Sequence, residues 1–372
     1  MHRRETSKRG DGGGTRRSTA TRWHGDPRHA PRSGPGVIRG SGLRLDGQGS
    51  GPRVVALGGG HGLAATLTAL RRVTDQITAI VGVADDGGSS GRLRAEFGGL
   101  PPGDLRMALA ALCGDDTWGR TWRQVIQHRF GGDGDLAGHT LGNLLITAMW
   151  EETNDAVTGL DWVAALLEAQ GRVLPCSVTP VAIVADVRGH DPVEPDVVSV
   201  VQGQSAVATT TGDVLGIRLE PAEPEPCPEA LAALSVADAI ILGPGSWFTS
   251  VMPHLLIPAQ VAAIRDSSAL KLLVLNLDPG SDTETSGASL DDHLYFMQRL
   301  VPDLRLDVVV ADPANVEHEA ALRQTCADMG ARLELASVGY PGSDRRGEHD
   351  PGRLAVSFGS VLGRWQDEPL WR

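Results

Sequence analysis

The chain has 372 residues and a net charge of −12, a length that allows two or three domains. Residues 1–50 hold eleven Lys or Arg against four Asp or Glu, a surplus of seven that leaves −19 on residues 51–372. So acidic a body argues against a broad nucleic-acid face, and no apolar run reaches the roughly 18 residues that span a bilayer.

Residues 1–50 are rich in Gly, Ser, Thr and Pro and poor in large apolar side chains. Burial there could not offset the entropy of ordering, so this stretch reads as a disordered basic extension. It lacks the apolar centre of a signal peptide, and a cytoplasmic protein is expected. Cys113, Cys176, Cys227 and Cys326 form no C-x-x-C pair, which fits reduced cysteines better than a disulfide scaffold or zinc site.

From Arg53 onward, short apolar runs alternate with helical segments. "RVVAL" (53–57) and "ITAIVGVA" (77–84) read as strands, with "LAATLTALRRV" (63–73) as the helix between them. "GDLRMALAALC" (103–113), "GHTLGNLLITAMW" (138–150) and "GLDWVAALLEAQ" (159–170) follow as helices. Residues 175–222 alternate apolar and polar side chains between turn signals and read as an antiparallel β insertion. Strands return at "ADAIIL" (237–242), "KLLVLNL" (271–277), "LDVVVAD" (306–312) and "ARLELASV" (331–338). The expected fold is α/β: one Rossmann-like domain over 51–366, with a doubly wound, mostly parallel sheet, a small antiparallel β insertion and a short tail at 367–372.

In such folds ligands sit at the carboxyl ends of the strands, and three glycine-rich stretches fall there. Gly58, Gly59, Gly60, His61 and Gly62 offer a bare backbone and a helix N-terminus, the makings of a phosphate loop. The spacing departs from G-x-G-x-x-G, which disfavours a nicotinamide-dependent oxidoreductase. "ADDGGSSGRLR" begins where the second strand ends. Asp85 lies 23 residues beyond Gly62, where an acid would meet ribose hydroxyls, and Asp86, Gly87, Ser89, Ser90 and Arg92 follow it. The third stretch, "GPGSWFTS", supplies Gly243, Gly245, Ser246, Thr249 and Ser250. Trp247 and Phe248 follow Ser246, which does not match the G-x-S-x-G elbow of a serine hydrolase.

Asp104 and Arg106 fall in the first turn of a helix. The arginine there calls for an anion or a carboxylate, because the helix dipole disfavours a cation at that end. His139 and Asn143 are four residues apart on one helical face, and a ligand and a structural pairing explain them equally well. The remaining histidines show no metal-ligand spacing, and no metal set or catalytic residue is assigned.

Together "VVALGGGHGL", "VADDGGSSGRLR", "LPPGDLRMALAAL", "GHTLGNLL", "GQSAVATTTG" and "GPGSWFTSVMPHLL" resemble the YvcK family of gluconeogenesis factors, relatives of the CofD phospholactate transferases. The resemblance runs from about Arg53 to Ala355. It implies a cytoplasmic regulator that binds UDP-N-acetylglucosamine or a similar sugar nucleotide, linked to cell shape, cell-wall synthesis and gluconeogenic growth. Binding without turnover is implied, with Asp85, Arg92 and the 243–250 loop sharing the ligand and Asn276 matching a family position. Self-association and cell-wall regulatory partners are compatible with it. The alternative is a CofD-type phospholactate transferase of deazaflavin coenzyme synthesis, with Mg²⁺ at Asp85 or Asp86.

Two departures bear on the ligand. The family's N-L-x-x-Q-P-G-E-T becomes "NLDPGSDTETSG" (276–287), which keeps Asn276, Glu284 and Thr285. Glu348 replaces an arginine before His349 and Asp350, and a carboxylate there would repel a phosphate. Arg345, Arg346 and Arg353 are near enough in sequence to compensate.

Overall fold

The computed structural model describes residues 51–277, 288–342, 345 and 347–367. The basic extension at 1–50, the altered segment at 278–287, Arg346 and the end of the tail lie outside the described residues.

The strands in chain order are β1 (Val54–Gly58), β2 (Ile77–Val81), β3 (Arg172–Pro175), β4 (Ala182–Arg188), β5 (Val198–Gln202), β6 (Asp213–Glu220), β7 (Ala239–Leu242), β8 (Leu270–Val274), β9 (Val308–Ala311) and β10 (Arg332–Leu335). The main sheet has seven strands in the order β10-β9-β8-β7-β1-β2-β3, every pair parallel. Its direction of growth reverses between β1 and β7, the switch point at which doubly wound sheets open a crevice. The insertion is a separate antiparallel sheet, β5-β4-β6, with a register shift at Asp186 and Val187.

The helices are α1 (Gly60–Leu70), α2 (Gly88–Phe97), α3 (Gly103–Leu112), α4 (Thr117–Gln127), α5 (Leu141–Thr153), α6 (Ala156–Leu167), α7 (Gln204–Ala208), α8 (Pro228–Val236), α9 (Pro258–Asp266), α10 (Leu290–Leu300), α11 (Glu319–Asp328) and α12 (Pro351–Asp367). α1 packs against both α3 and α12. The central strands are apolar on both faces because both faces are covered. Val54, Val55, Ala56 and Leu57 of β1 are each no more than 2% exposed. Fully burying a valine or leucine stabilises by about 1.5–3 kcal/mol, so this strand anchors the loop that follows it.

Several boundaries differ from the sequence expectation, three of them beside the candidate site residues. α1 starts at Gly60, so the glycine run itself makes the first turn. α5 starts at Leu141, which leaves His139 in the preceding loop and off the helical face that carries Asn143. "QSAVA" forms the short helix α7 although its alternation suggested a strand. Gly203 turns the chain there with a φ of +102°, and Asp86, 119 residues from Ser205, accepts the Ser205 N–H at 2.9 Å.

Asp116, Asp155 and Ser289 each accept a backbone N–H at the start of their helices. α1 has no such side chain: Gly59 is extended and its cap is bare. The Gly60 N–H is taken by the Asp104 carboxyl, and the other N–H groups of that first turn have no capping side chain.

Candidate functional site

A cleft of about 630 Å³ lies over the switch point. Gly59, Gly60, His61 and Gly62 form one wall, and Gly245, Ser246, Thr249 and Ser250 form the facing one. Asp104 and Asn276 also line it. These come from the carboxyl ends of neighbouring strands and from α3, so short loops bring together groups nearly 200 residues apart.

The backbone is bare because nothing larger fits. A Cβ on Gly62 would sit 2.1 Å from the carbonyl oxygen of Pro244, and one on Gly59 would sit 2.5 Å from Asp104 Oδ2. The second loop is pinned by Asn276, whose Oδ1 accepts the Gly245 N–H at 3.2 Å. Beneath both loops, His254 Nε2 donates to the carbonyl of Gly58 at 3.0 Å. Burial pushes His254 down to about 4, so the ring is neutral and serves as a prop.

Asp104 is the chemically distinctive group in the cleft. Burial, reinforced by the Asp85 carboxylate, pushes its carboxyl up to about 7, against the opposing pull of the Gly60 N–H and the Arg106 charge. It meets the first turn of α1, so an anion bound there would face a carboxyl group that is about half protonated at pH 7.

Arg106 answers the expectation of a counter-charge only in part. Its Nε donates to Asn143 Oδ1 at 3.0 Å and its Nη1 to Gln127 Oε1 at 3.3 Å, both neutral groups. Burial and the neighbouring Arg129 lower its pKa, while Asp104 and Asp85 act in the other direction. Asn143 donates to Ser89 Oγ at 3.0 Å, which lies 3.0 Å from His139 Nδ1, and it approaches Ser90 Oγ at 3.5 Å. Ser89, Ser90, Arg106, His139 and Asn143 thus form an internal polar network behind Asp104, outside the cleft lining.

The rest of the second glycine stretch also turns away from the cleft. Asp85 Oδ1 accepts the Gly87 N–H at 3.0 Å. Asp86 Oδ1 accepts both the N–H and the hydroxyl of Ser205, at 2.9 and 2.7 Å. Arg92 donates to the carbonyls of Asp135 and Ala137, both at 2.6 Å, and so clasps the loop before α5. Gly58 ends β1 and Gly243 turns after β7 with a φ of +70°, each supporting its loop from behind.

The insertion wall and Tyr340 went unassigned on sequence grounds, whereas Glu348 and Arg345 were expected to bear on the ligand. The insertion contributes Gln204, Ser205 and Ala208, and the segment before α12 contributes Tyr340, Arg345, Glu348 and His349. Asp312 fixes that last segment by accepting the N–H groups of Val338 and Gly339 at 2.8 and 2.9 Å. Glu348 does not face the cleft unpaired: Arg345 Nε donates to its Oε2 at 2.8 Å. The Arg345 guanidinium also lies 3.8 Å from the Tyr340 ring centroid. The rim pair is therefore neutral overall, and the expected repulsion of phosphate is largely cancelled within four residues. His349 is pushed down to about 4 by burial and donates to the carbonyl of Leu275 at 3.2 Å, a structural role.

Among the described residues, no group of three or more His, Cys, Asp or Glu is placed to hold a metal ion.

The family described as 2-phospho-L-lactate transferase CofD matches residues 54–334. A Mycobacterium leprae protein provisionally named a gluconeogenesis factor is 46% identical over 323 residues, which span 86% of this chain and 88% of that one. The gluconeogenesis factor of Halalkalibacterium halodurans is 39% identical over 241 residues, 65% of this chain and 71% of its own. The crystal structure of a UPF0052 family protein from Bacillus halodurans superposes with a TM-score of 0.72 at 30% identity, covering 83% of this chain and 98% of that one.

Proposed function

Because the chain belongs to the YvcK family of gluconeogenesis factors, with a CofD-type fold, we propose that it is a cytoplasmic regulatory protein that binds a UDP-sugar of the UDP-N-acetylglucosamine kind. The observation that carries this reading is the glycine-built N-terminus of α1, whose N-cap Gly59 has no side chain to close it and whose Gly60 N–H alone meets Asp104, set between two glycine loops in a cleft of about 630 Å³. Free N–H groups and the helix dipole suit a diphosphate, and the volume suits a nucleotide sugar. The hydroxyls of Ser246, Thr249 and Ser250 add neutral donors and acceptors. Among the described residues no single helix is long and apolar enough to cross a membrane. The linked roles in cell shape, cell-wall synthesis and gluconeogenic growth belong to the same proposal, and they follow from the family.

Calorimetric titration of the full chain with UDP-N-acetylglucosamine tests the reading, with UDP-glucose, GDP and NAD as comparators. Selective micromolar binding of a UDP-sugar is expected. Binding of GDP only with Mg²⁺, and none of the UDP-sugar, would replace it with the phospholactate transferase reading. Silence towards all four would remove both.

A further inference from the structure

The cleft has chemically distinct poles. The first turn of α1 offers amide N–H groups to a diphosphate. Tyr340, half-buried and backed by Arg345, offers an aromatic ring suited to a planar base. The wall from the insertion holds only Gln204, Ser205 and Ala208, which are neutral and non-aromatic. Gln204 Nε2 donates to the carbonyl of Thr249 at 3.3 Å, which leaves its amide oxygen for a ligand hydroxyl. A polyhydroxylated, uncharged ring is the ligand part that such a wall recognises.

That wall belongs to a separate three-stranded sheet, so something must hold it in place. Asp86 is the tie. Its Oδ1 takes both the N–H and the hydroxyl of Ser205. Gly203 approaches so closely that a Cβ there would lie 2.3 Å from Asp86 Oδ2. With its carboxylate spent on the insertion, Asp86 has a different task from its neighbour Asp85.

We infer that α7 is the sugar-facing wall of the cleft, that Gln204 selects for the sugar, and that Asp86 is a positioning residue latching this wall through Ser205. The inference rests on the sugar-nucleotide reading and deepens it. The latch depends on hydrogen-bond acceptance by one oxygen, and an amide oxygen can supply that as well as a carboxylate. A metal or phosphate role for Asp86 would depend on its charge instead.

The test uses the full-length chain with Asp86→Ala, Asp86→Asn and Gln204→Ala, titrated with UDP-N-acetylglucosamine and with UDP. Asp86→Ala and Gln204→Ala are expected to weaken the sugar nucleotide by about fivefold and leave UDP within about twofold, the scale of one or two lost hydrogen bonds. Asp86→Asn is expected to stay within about twofold of the parent for both. Equal losses for UDP and the sugar nucleotide, or an Asn variant as weak as the Ala variant, would overturn the inference. Amide hydrogen exchange over 203–209 without ligand judges the latch separately: exchange should quicken in Asp86→Ala and hold in Asp86→Asn. Unchanged exchange in both would refute the latch. If the parent chain binds neither nucleotide, the function proposed above fails while the exchange comparison still decides on Asp86.

Discussion

Replacing Asp104 by Asn isolates the buried acid at the floor of the cleft. In the folded chain its carboxyl is pushed from 3.8 up to about 7, first by burial and then by Asp85. Between those values the folded protein holds a proton that the unfolded chain has released, so stability from this group is full below pH 4 and is lost as pH rises to 7. About three units at 1.36 kcal/mol each set a ceiling of about 4 kcal/mol at pH 8. Cleft water reaches part of the side chain, so about 2–4 kcal/mol is expected. Asn keeps an acceptor for the Gly60 N–H and removes the charge, with an NH2 in place of one oxygen. Asp104→Asn should therefore be more stable than the parent by about 2–4 kcal/mol at pH 8, and the difference should shrink towards zero near pH 4. Urea denaturation of both proteins across that range measures it, and titrating groups remote from Asp85 and Arg106 cancel in the comparison. A variant less stable at pH 8, or a gain that does not change with pH, would refute the account of Asp104 as a buried carboxyl whose burial Gly60 and Arg106 only partly offset.

Three further outcomes follow from the geometry. Gly59→Ala should weaken UDP-sugar binding by at least about tenfold, the scale of a lost charge-assisted contact, because the new methyl collides with Asp104 Oδ2; titration with circular dichroism as a folding control checks it. His254, His293 and His349 are pushed down to about 4 by burial, so the unfolded chain binds protons below pH 6.5 that the folded one refuses. Stability should fall between pH 6.5 and 4 by up to about 3 kcal/mol per ring, and imidazole resonances should still report neutral rings at pH 5. At the rim, Arg345→Ala should weaken nucleotide binding by leaving Glu348 unpaired, whereas Glu348→Ala should strengthen it; both effects should shrink with added salt.

The strands and glycine loops were legible because their signals are local. An apolar run of four to eight residues that ends in glycines identifies a buried strand and a bare turn without any distant contact. Asp104 was visible as a charge in a first turn, but its raised pKa depends on Asp85 and on the fold around it. The insertion wall was misread for a similar reason. α7 is only five residues long, and its cap comes from Asp86 on the far side of the main sheet's second strand. Tyr340 lies in a segment with no regular period, where only tertiary structure shows that it faces a cleft, whereas Arg345 was placed near the ligand by its nearness in sequence to Glu348. The polar set of Ser89, His139, Asn143 and Arg106 could be recognised as related, yet composition alone could not say whether its members face a ligand or one another.

The walls of the cleft come from residues 59–62, 204–208, 245–250 and 340–349, spread over most of the chain. During synthesis, the glycine loop at 59–62 is made early and the facing 245–250 loop follows, but the cleft lacks its last wall until the final tenth of the polypeptide has emerged. A ligand that needs all four segments can stabilise only the finished fold, by mass action on that state alone. Its effect on proteolytic resistance is therefore a sensitive report of whether maturation is complete, and any truncation before residue 349 should be blind to it.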